Sequence, residues 1–283
     1  MYSGLPPDWG ASPTAGMVYV EGGEFVPGSM HGYADERPAG AVRVGGFFLD
    51  RTEVTNAQFA AFVVGTGYVT AAERRGGGAV FRQPTRAAIG EGPNPWWHDE
   101  RGANWRHPDG PSSEVASRGN EPVVQLTLED ATAYAQWLGR RLPTEAEWEL
   151  AARAGLTGEE LDRAPTTREG RPGANFWQGE FPVENLAQDG YVGRAPVGCF
   201  PANGLGLYDM IGNVWEWTSD SYRGPHEPQE DAPEHASVEL RVIKGGSYLC
   251  ASNFCARHRA TARHPQDAGL GAAHLGFRTA KSD

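Results

Sequence analysis

With 38 glycines and 21 prolines in 283 residues, this chain interrupts its own regular structure every few positions. Glycine frees the backbone, and proline fixes φ and removes a donor, so the two together mark turns and element ends. The expected architecture has many turns, long ordered loops and few long helices. Size alone allows one large domain or two small ones, either able to bury a sizeable core. The apolar share of 39% and the nine tryptophans belong to a folded chain, not a disordered one.

Local patterns fill in part of this outline. Residues 1–15 read as a loosely ordered arm, and 16–283 as the domain. From Gly16, Val18 and Val20 alternate with polar neighbours before a Gly22-Gly23 turn, which predicts a hairpin, and AVRVGGFFLD predicts a further strand. Thr55 with Gln58 forms a capping box ahead of Phe59, Phe62 and Val63, predicting a short amphipathic helix stopped at Gly65. Thr127 with Asp130, and Thr144 with Glu147, predict two more, closed by Gly139 and Gly155. Residues 66–120 show little periodicity, and a loop of that length in a compact domain points to function. Short strands are expected in NFWQGEFPVEN, in APVGCFPANGLGLYDMIGNVWEWTSD and in ELRVIKGGSYL.

A net charge of −11 argues against a nucleic-acid partner, which would want a basic face, and favours cationic peptides or metal cations. No apolar run reaches the roughly 18 residues of a membrane span, and the N-terminus has no secretory pattern, so the expectation is a cytoplasmic protein with no membrane partner. Three cysteines are too few for a disulfide scaffold; in a reducing compartment a close pair is more often catalytic or metal-binding. Cys250 and Cys255 form that pair, and Cys199 reads as a buried thiol. Structural zinc wants four protein ligands and catalytic zinc three, so the pair suits a redox-active disulfide, a soft ion such as Cu(I), or two buried small hydrophobes.

Four motifs narrow the choice: RLPTEAEWE at 141–149, GNVWEWTSD at 212–220, KGGSYLC at 244–250 and LGFR at 275–278. With GANWRHP at 102–108 and NFWQGEFP at 175–182, they make the chain resemble the formylglycine-generating enzymes, the sulfatase-modifying factor family, from about Gly16 to Thr279. The resemblance implies a single compact α+β domain of C-type-lectin-like character, low in regular structure and braced by calcium. It assigns one calcium to Asn175, the Phe176 carbonyl, Asp189 and the Tyr191 carbonyl. A second falls to Asp209, the Gly212 and Val214 carbonyls, and Glu216. An alternation of carboxylate, amide and backbone oxygens suits a hard cation. Cu(I) is assigned to Cys250 and Cys255, with Ser247 and Trp215 lining the pocket. The implied reaction uses O2 to convert a cysteine in a sulfatase-type Cys-x-Pro-x-Arg peptide to Cα-formylglycine, and the expected enzyme is a monomer.

The chain also departs from its family. Ala251 stands where several members carry histidine, and His274 stands at a common active-site asparagine, where it could hydrogen-bond water or O2. The segment TARHPQDAGLGA at 261–272 replaces AARS-x-N-T-P-D-S-S, and the usual P-W-G after the third predicted helix is missing. Two alternatives to the sulfatase-type reaction therefore stand: a relative that oxidises another thiol, and a non-catalytic calcium-stabilised binding module of the same fold.

Overall fold

A threonine starts each α-helix of the computed structural model, which describes residues 5–38, 40–90, 92, 94–166, 169–224 and 238–283. Helix α1 (Asn56–Thr66), α2 (Ala71–Arg75), α3 (Leu128–Trp137) and α4 (Glu145–Arg153) follow Thr55, Thr70, Thr127 and Thr144, respectively. In each, the threonine hydroxyl accepts the N–H three residues on, and the Gln, Glu or Asp there answers back to the threonine N–H. Two of the four donors left free at a helix start are thereby satisfied locally. Helix α1 runs past Gly65 to a left-handed Gly67 (φ 71°). Helix α2, within the aperiodic 66–120 stretch, is five residues long, too short to show a period.

The strands are β1 (Met17–Val20), β2 (Gly23–Phe25), β3 (Val42–Val44), β4 (Phe47–Asp50), β5 (Gly77–Phe81) and β6 (Trp97–Arg101). Later in the chain come β7 (Trp215–Ser221), β8 (Leu240–Lys244), β9 (Arg263–Asp267), β10 (Leu275–Gly276) and β11 (Ala280–Ser282). They form a three-stranded sheet in the order β1-β4-β11, a four-stranded sheet β10-β7-β8-β9, and the pairs β2-β3 and β5-β6. The expected hairpin at Gly22-Gly23 is not formed. Met17 to Val20 pair antiparallel with β4, while Gly23 to Phe25 pair with β3, so the glycines carry the chain from one sheet to another. A Cβ on Gly22 would lie 2.3 Å from the Val44 carbonyl oxygen. The stretch from Asn175 to Val214 likewise holds turns and a bridge between Asn175 and Gly212 in place of the expected strands.

Three apolar clusters make the core, one of them formed by Trp96, Trp177, Phe181, Tyr248 and Leu249 beside the KGGSYLC motif. A second gathers Phe59, Phe62, Trp105, Tyr134, Trp217 and Phe277 around α1 and α3, and a third gathers Leu49, Trp148, Ala151 and Leu207 around α4. Trp105 of the GANWRHP motif is an interior ring, 5.3 Å edge-on to Phe59. Among the described residues no helix is long and apolar enough to cross a membrane.

Buried ion pairs tie the clusters together. Lys244 Nζ, fully enclosed, lies 2.9 Å from Glu149 Oε2. Burial alone would raise the Glu149 pKa, but Lys244 and Arg153 hold it below the usual carboxylate range. Arg140 donates to Asp50 and to the carbonyls of Pro13 and Ala15, and Trp9 lies 5.7 Å from Trp137. These contacts hold residues 9–15 against the domain. The fold is a single C-type-lectin-like α+β domain of short elements, as the glycine and proline content required.

Candidate active site

Strand β8 delivers the KGGSYLC motif into a cleft of about 480 Å3. After Lys244 the chain turns through Gly245 and Gly246 at φ 94° and 77°, and a Cβ on Gly246 would lie 2.6 Å from the Arg257 carbonyl oxygen. Only glycine both adopts that conformation cheaply and permits the approach. The turn buries Ser247 completely. Its carbonyl accepts Cys250 N–H and its hydroxyl accepts Leu249 N–H, which fixes the loop carrying the first cysteine.

Cys250 Sγ and Cys255 Sγ are 3.4 Å apart, with Cys250 as the donor. Burial, and then its bond to Cys255, push the Cys250 thiol well above its ordinary range. The bond from Cys250, followed by Arg257 and the Arg257 N–H, pulls Cys255 down against its own desolvation. Cys250 is therefore the harder of the two thiols to ionise and Cys255 the easier. Thiolate bonds to d-block ions run to about 2.3 Å, as for zinc, so one soft ion can touch both sulfurs.

Two histidines join the cysteines in the cleft. His274, just before β10, has its ring centroid 4.7 Å from Trp97, and its Nδ1 is 3.5 Å from Ser247 Oγ, the outer limit of a hydrogen bond. Burial, with His264 and Arg194 nearby, lowers its pKa to about 3. His264 on β9 lies 5.7 Å from the Trp215 ring at 28°. Its enclosure by protein and Arg257 lower it to about 4, Asp35 opposing, although the residue as a whole is exposed. Both imidazoles are therefore neutral near pH 7. The sequence reading reached His274, Ser247 and Trp215 but not His264. The available signal was strand alternation, since His264 and Gln266 both line the cleft. Pro265 hid it, because a proline argues against an inner strand, and β9 is an edge strand where proline is tolerated.

The oxygen clusters lie outside the residues lining this cleft. In the first, Asp189 accepts from the Phe176 and Tyr191 N–H groups, and the Gln178 amide bridges Asp189 Oδ2 and the Phe176 carbonyl. Asn175 donates to Asn213 Oδ1 at 3.0 Å, linking this cluster to the second. There Gly212 (φ 81°) packs so closely that a Cβ would fall 2.2 Å from the Asn175 carbonyl oxygen. The Glu216 carboxylate is bonded by Arg278 through both oxygens and by Trp148 Nε1, all at 2.7 Å. Asp209 accepts the Gly198 N–H at 2.6 Å, and burial raises its pKa to about 6.

Glu53, which motif reasoning missed, completes this second group. Both its oxygens are buried with no hydrogen-bond partner. Burial, with Asp209 and Glu216 adding, pushes its pKa well above the carboxylate range, Arg278 opposing. Three buried carboxylates thus share the one arginine that acts on them all. An orphaned buried carboxylate beside other acids and backbone carbonyls offers oxygens of the kind a hard divalent cation takes, although among the described residues no three or more His, Cys, Asp or Glu side chains are gathered closely enough to hold a metal ion.

The fold and the paired-thiol cleft together define a C-type-lectin-like scaffold of catalytic build. Residues 3–283 match the sulfatase-modifying factor enzyme 1-like domain, and the chain belongs to that family. It is 45% identical over 280 residues to a formylglycine-generating enzyme of Streptomyces coelicolor, covering 94% of this chain and 89% of the relative. It is 38% identical over 276 residues to the inactive Cα-formylglycine-generating enzyme 2 of Mus musculus, covering 94% and 85%. Among solved structures, PvdO from Pseudomonas aeruginosa superimposes with a TM-score of 0.66 at 25% identity, covering 94% of each chain.

Proposed function

We propose that this protein oxidises a cysteine of a sulfatase-type polypeptide to Cα-formylglycine, using Cu(I) held by Cys250 and Cys255, and O2. The observation that carries the reading is the sulfur pair, 3.4 Å apart at the floor of an open cleft. A binding module has no use for such a pair. The likeness to enzymes named for the reaction supports it over nearly the full chain.

Copper, when bound, supplies a soft centre at which a substrate thiolate and O2 can meet. The protein's own part is threefold. Cys255 is the easier of the two thiols to ionise, so the proton that costs most to remove when an ion binds is the one Cys250 carries. Ser247, His274 and Trp215 line the cleft beside the sulfurs and hold fixed, uncharged donors and acceptors around the reacting carbon. Trp97, edge-on to His274, holds that imidazole in place. In the balanced reaction, the substrate cysteine and two reductant thiols combine with O2 to give an aldehyde, hydrogen sulfide, water and a disulfide. Two electrons come from the substrate and two from the reductant.

The test is mass spectrometry of a Cys-x-Pro-x-Arg peptide incubated with the protein, copper and a thiol reductant, under air and under nitrogen. The mass change of thiol-to-aldehyde conversion should appear only in air. Conversion without oxygen, or none of any cysteine peptide by copper-loaded protein, would refute the reading.

Calcium is proposed for both oxygen clusters, with Glu53 joining Asp209 at the second. Support comes from the unpaired Glu53 oxygens and the excess of carboxylate over cation. A ligand at a hundred times its dissociation constant adds about 2.7 kcal/mol, so chelator should lower the melting temperature by several degrees. The effect should depend on pH in a stated direction. Burial raises Asp209 to about 6 in the metal-free fold, so it holds its proton below that pH and releases it above, and burial with Asp209 and Glu216 nearby shifts Glu53 in the same direction. Protons therefore compete with calcium at the acidic end, and the calcium-minus-chelator difference should grow from pH 5.5 to 7.5. Coincident melts at pH 7.5, with no calcium by elemental analysis, would end this proposal.

A further inference from the structure

The N-terminal arm helps to form a second cleft, of about 500 Å3, whose lining shares no residue with the cysteine cleft among the described residues. Pro6, Pro7 and Met17 line it together with Arg51, Gln58 and Tyr208. Pro6 is buried, and a Cβ on Gly16 (φ 76°) would fall 2.6 Å from Pro6 Cγ, so glycine is what lets the arm lie against the domain here. The backbone at Arg51 is pinned twice: its N–H donates to the Gly16 carbonyl at 2.9 Å, and its carbonyl accepts the Tyr208 N–H at 2.8 Å. Three segments distant in sequence therefore meet in fixed register at this cleft.

Its polar side chains are unspent donors. Gln58 is only 8% exposed; its Oε1 accepts the Thr55 N–H at 2.8 Å, while its Nε2 has no partner among the described residues and is not one of the enclosed polar atoms. The amide hydrogens therefore open onto the cleft that Gln58 lines. The Tyr208 hydroxyl likewise has no partner among the described residues. The Arg51 guanidinium makes a single contact, Nη1 to the Gly206 carbonyl at 3.4 Å, near the outer limit of a hydrogen bond. Asp50, the one carboxylate in the lining, is already taken: Oδ1 accepts from Arg140, and Oδ2 from the Thr279 N–H and hydroxyl. Residues 1–4, which lie outside the described residues, bring no acidic side chain to the arm. Free donors, one of them permanently charged, match an anionic acceptor, and the proline and methionine surfaces beside them suit an apolar body attached to it.

We infer that this cleft binds a small carboxylate with an apolar body, the carboxylate taking the Arg51 guanidinium, the Gln58 amide and the Tyr208 hydroxyl, and the body lying against Pro6, Pro7 and Met17. The site stands apart from the cysteine cleft, and the inference does not rest on the oxidase reading. A free acid and the C-terminus of a peptide both present this chemistry, and the test separates them.

Calorimetry on the full chain at pH 7.5 takes 4-methylpentanoate as the probe, with its amide, acetate and inorganic phosphate beside it. The probe should bind at least about tenfold tighter than the amide, from charge-assisted bonds, and about tenfold tighter than acetate, from burial of its branched chain. Its affinity should fall as salt is raised. N-acetyl-glycyl-leucine, with a free C-terminus, separates the sources: tighter binding than the simple acid assigns the cleft to chain ends, and weaker binding assigns it to free acids. Gln58→Glu keeps the capping oxygen, which Glu73 and Glu147 supply at the same place in α2 and α4, and turns the free N–H into an anionic oxygen. Binding should then drop by about a hundredfold, the effect of like charges brought together, while the melting temperature holds within a few degrees. Arg51→Gln, at an exposed position, should lose about tenfold. Equal binding of acid and amide, tighter binding of phosphate, or an unchanged affinity in Arg51→Gln would each overturn the inference. So would the absence of any heat from the unaltered protein at about 10 mM probe, where a millimolar dissociation constant already fills most sites.

Discussion

Cys255→Ser is expected to abolish stoichiometric Cu(I) binding while leaving the protein folded. The asymmetry of the sulfur pair is the reason. Cys250 is enclosed, and its thiol is held protonated by burial and by donation to Cys255. Alone it would have to ionise in an apolar setting with nothing to share the cost. Affinity measured against a Cu(I) chelator should fall by well over a hundredfold, beyond the 10–100-fold typical of losing only an outer-shell partner. Cys255 is partly exposed at the cleft, so serine leaves no cavity and the melting temperature should hold within a few degrees. A Cys255→Ser variant that keeps the original copper affinity would show that the two sulfurs do not act as one site.

Arg278→Met should be the most destabilising exchange in the LGFR motif, by about 3–5 kcal/mol in denaturant unfolding. That is the cost of breaking a buried ion pair from one side. Arg278 is fully buried, bonds both Glu216 oxygens, and donates to the Asp50 and Tyr208 carbonyls. Methionine fills most of the volume, so the loss is mainly electrostatic: Glu216, Asp209 and Glu53 are left without their arginine. Added calcium should return part of the loss, and the chelator sensitivity of the variant should exceed that of the parent. Arg163, paired at the surface with Glu159, is the control; its alanine variant should lie within about 0.5 kcal/mol of the parent. A loss below about 1 kcal/mol in Arg278→Met would mean that the carboxylates shed their charge by protonation instead.

These two sites also show what a sequence can and cannot carry. The helices were legible wherever a capping box preceded a recurring apolar face, because every contact that starts a helix lies within four residues. The same box at Thr70 and Glu73 went unread, since the five residues of α2 hold no period. Sheet partners were not legible. Strand β1 pairs with β4, which pairs in turn with β11, and nothing in VYV says that its partner is FFL and not GEF. The cysteines announced themselves through rarity and closeness. His264 and Glu53 did not, because they reach their sites from β9 and from the turn before α1. Their roles come from what the fold sets beside them, Trp215 and Arg257 in one case, Asp209 and Glu216 in the other. The glycine and proline content read the architecture correctly because it limits element length directly.

The pairing of β11 with β4 reaches beyond stability, into how the molecule is made. Residues Ala280 to Ser282 close the sheet that β1 opens, Thr279 bonds Asp50, and Arg278 anchors the carboxylates beneath β7. On the ribosome, the first strand waits for the last. More than two hundred residues, both cleft cysteines among them, emerge before the interior can be sealed, so the thiols pass through synthesis unshielded. A truncation that removes even β11 should therefore forfeit the whole domain instead of trimming its edge.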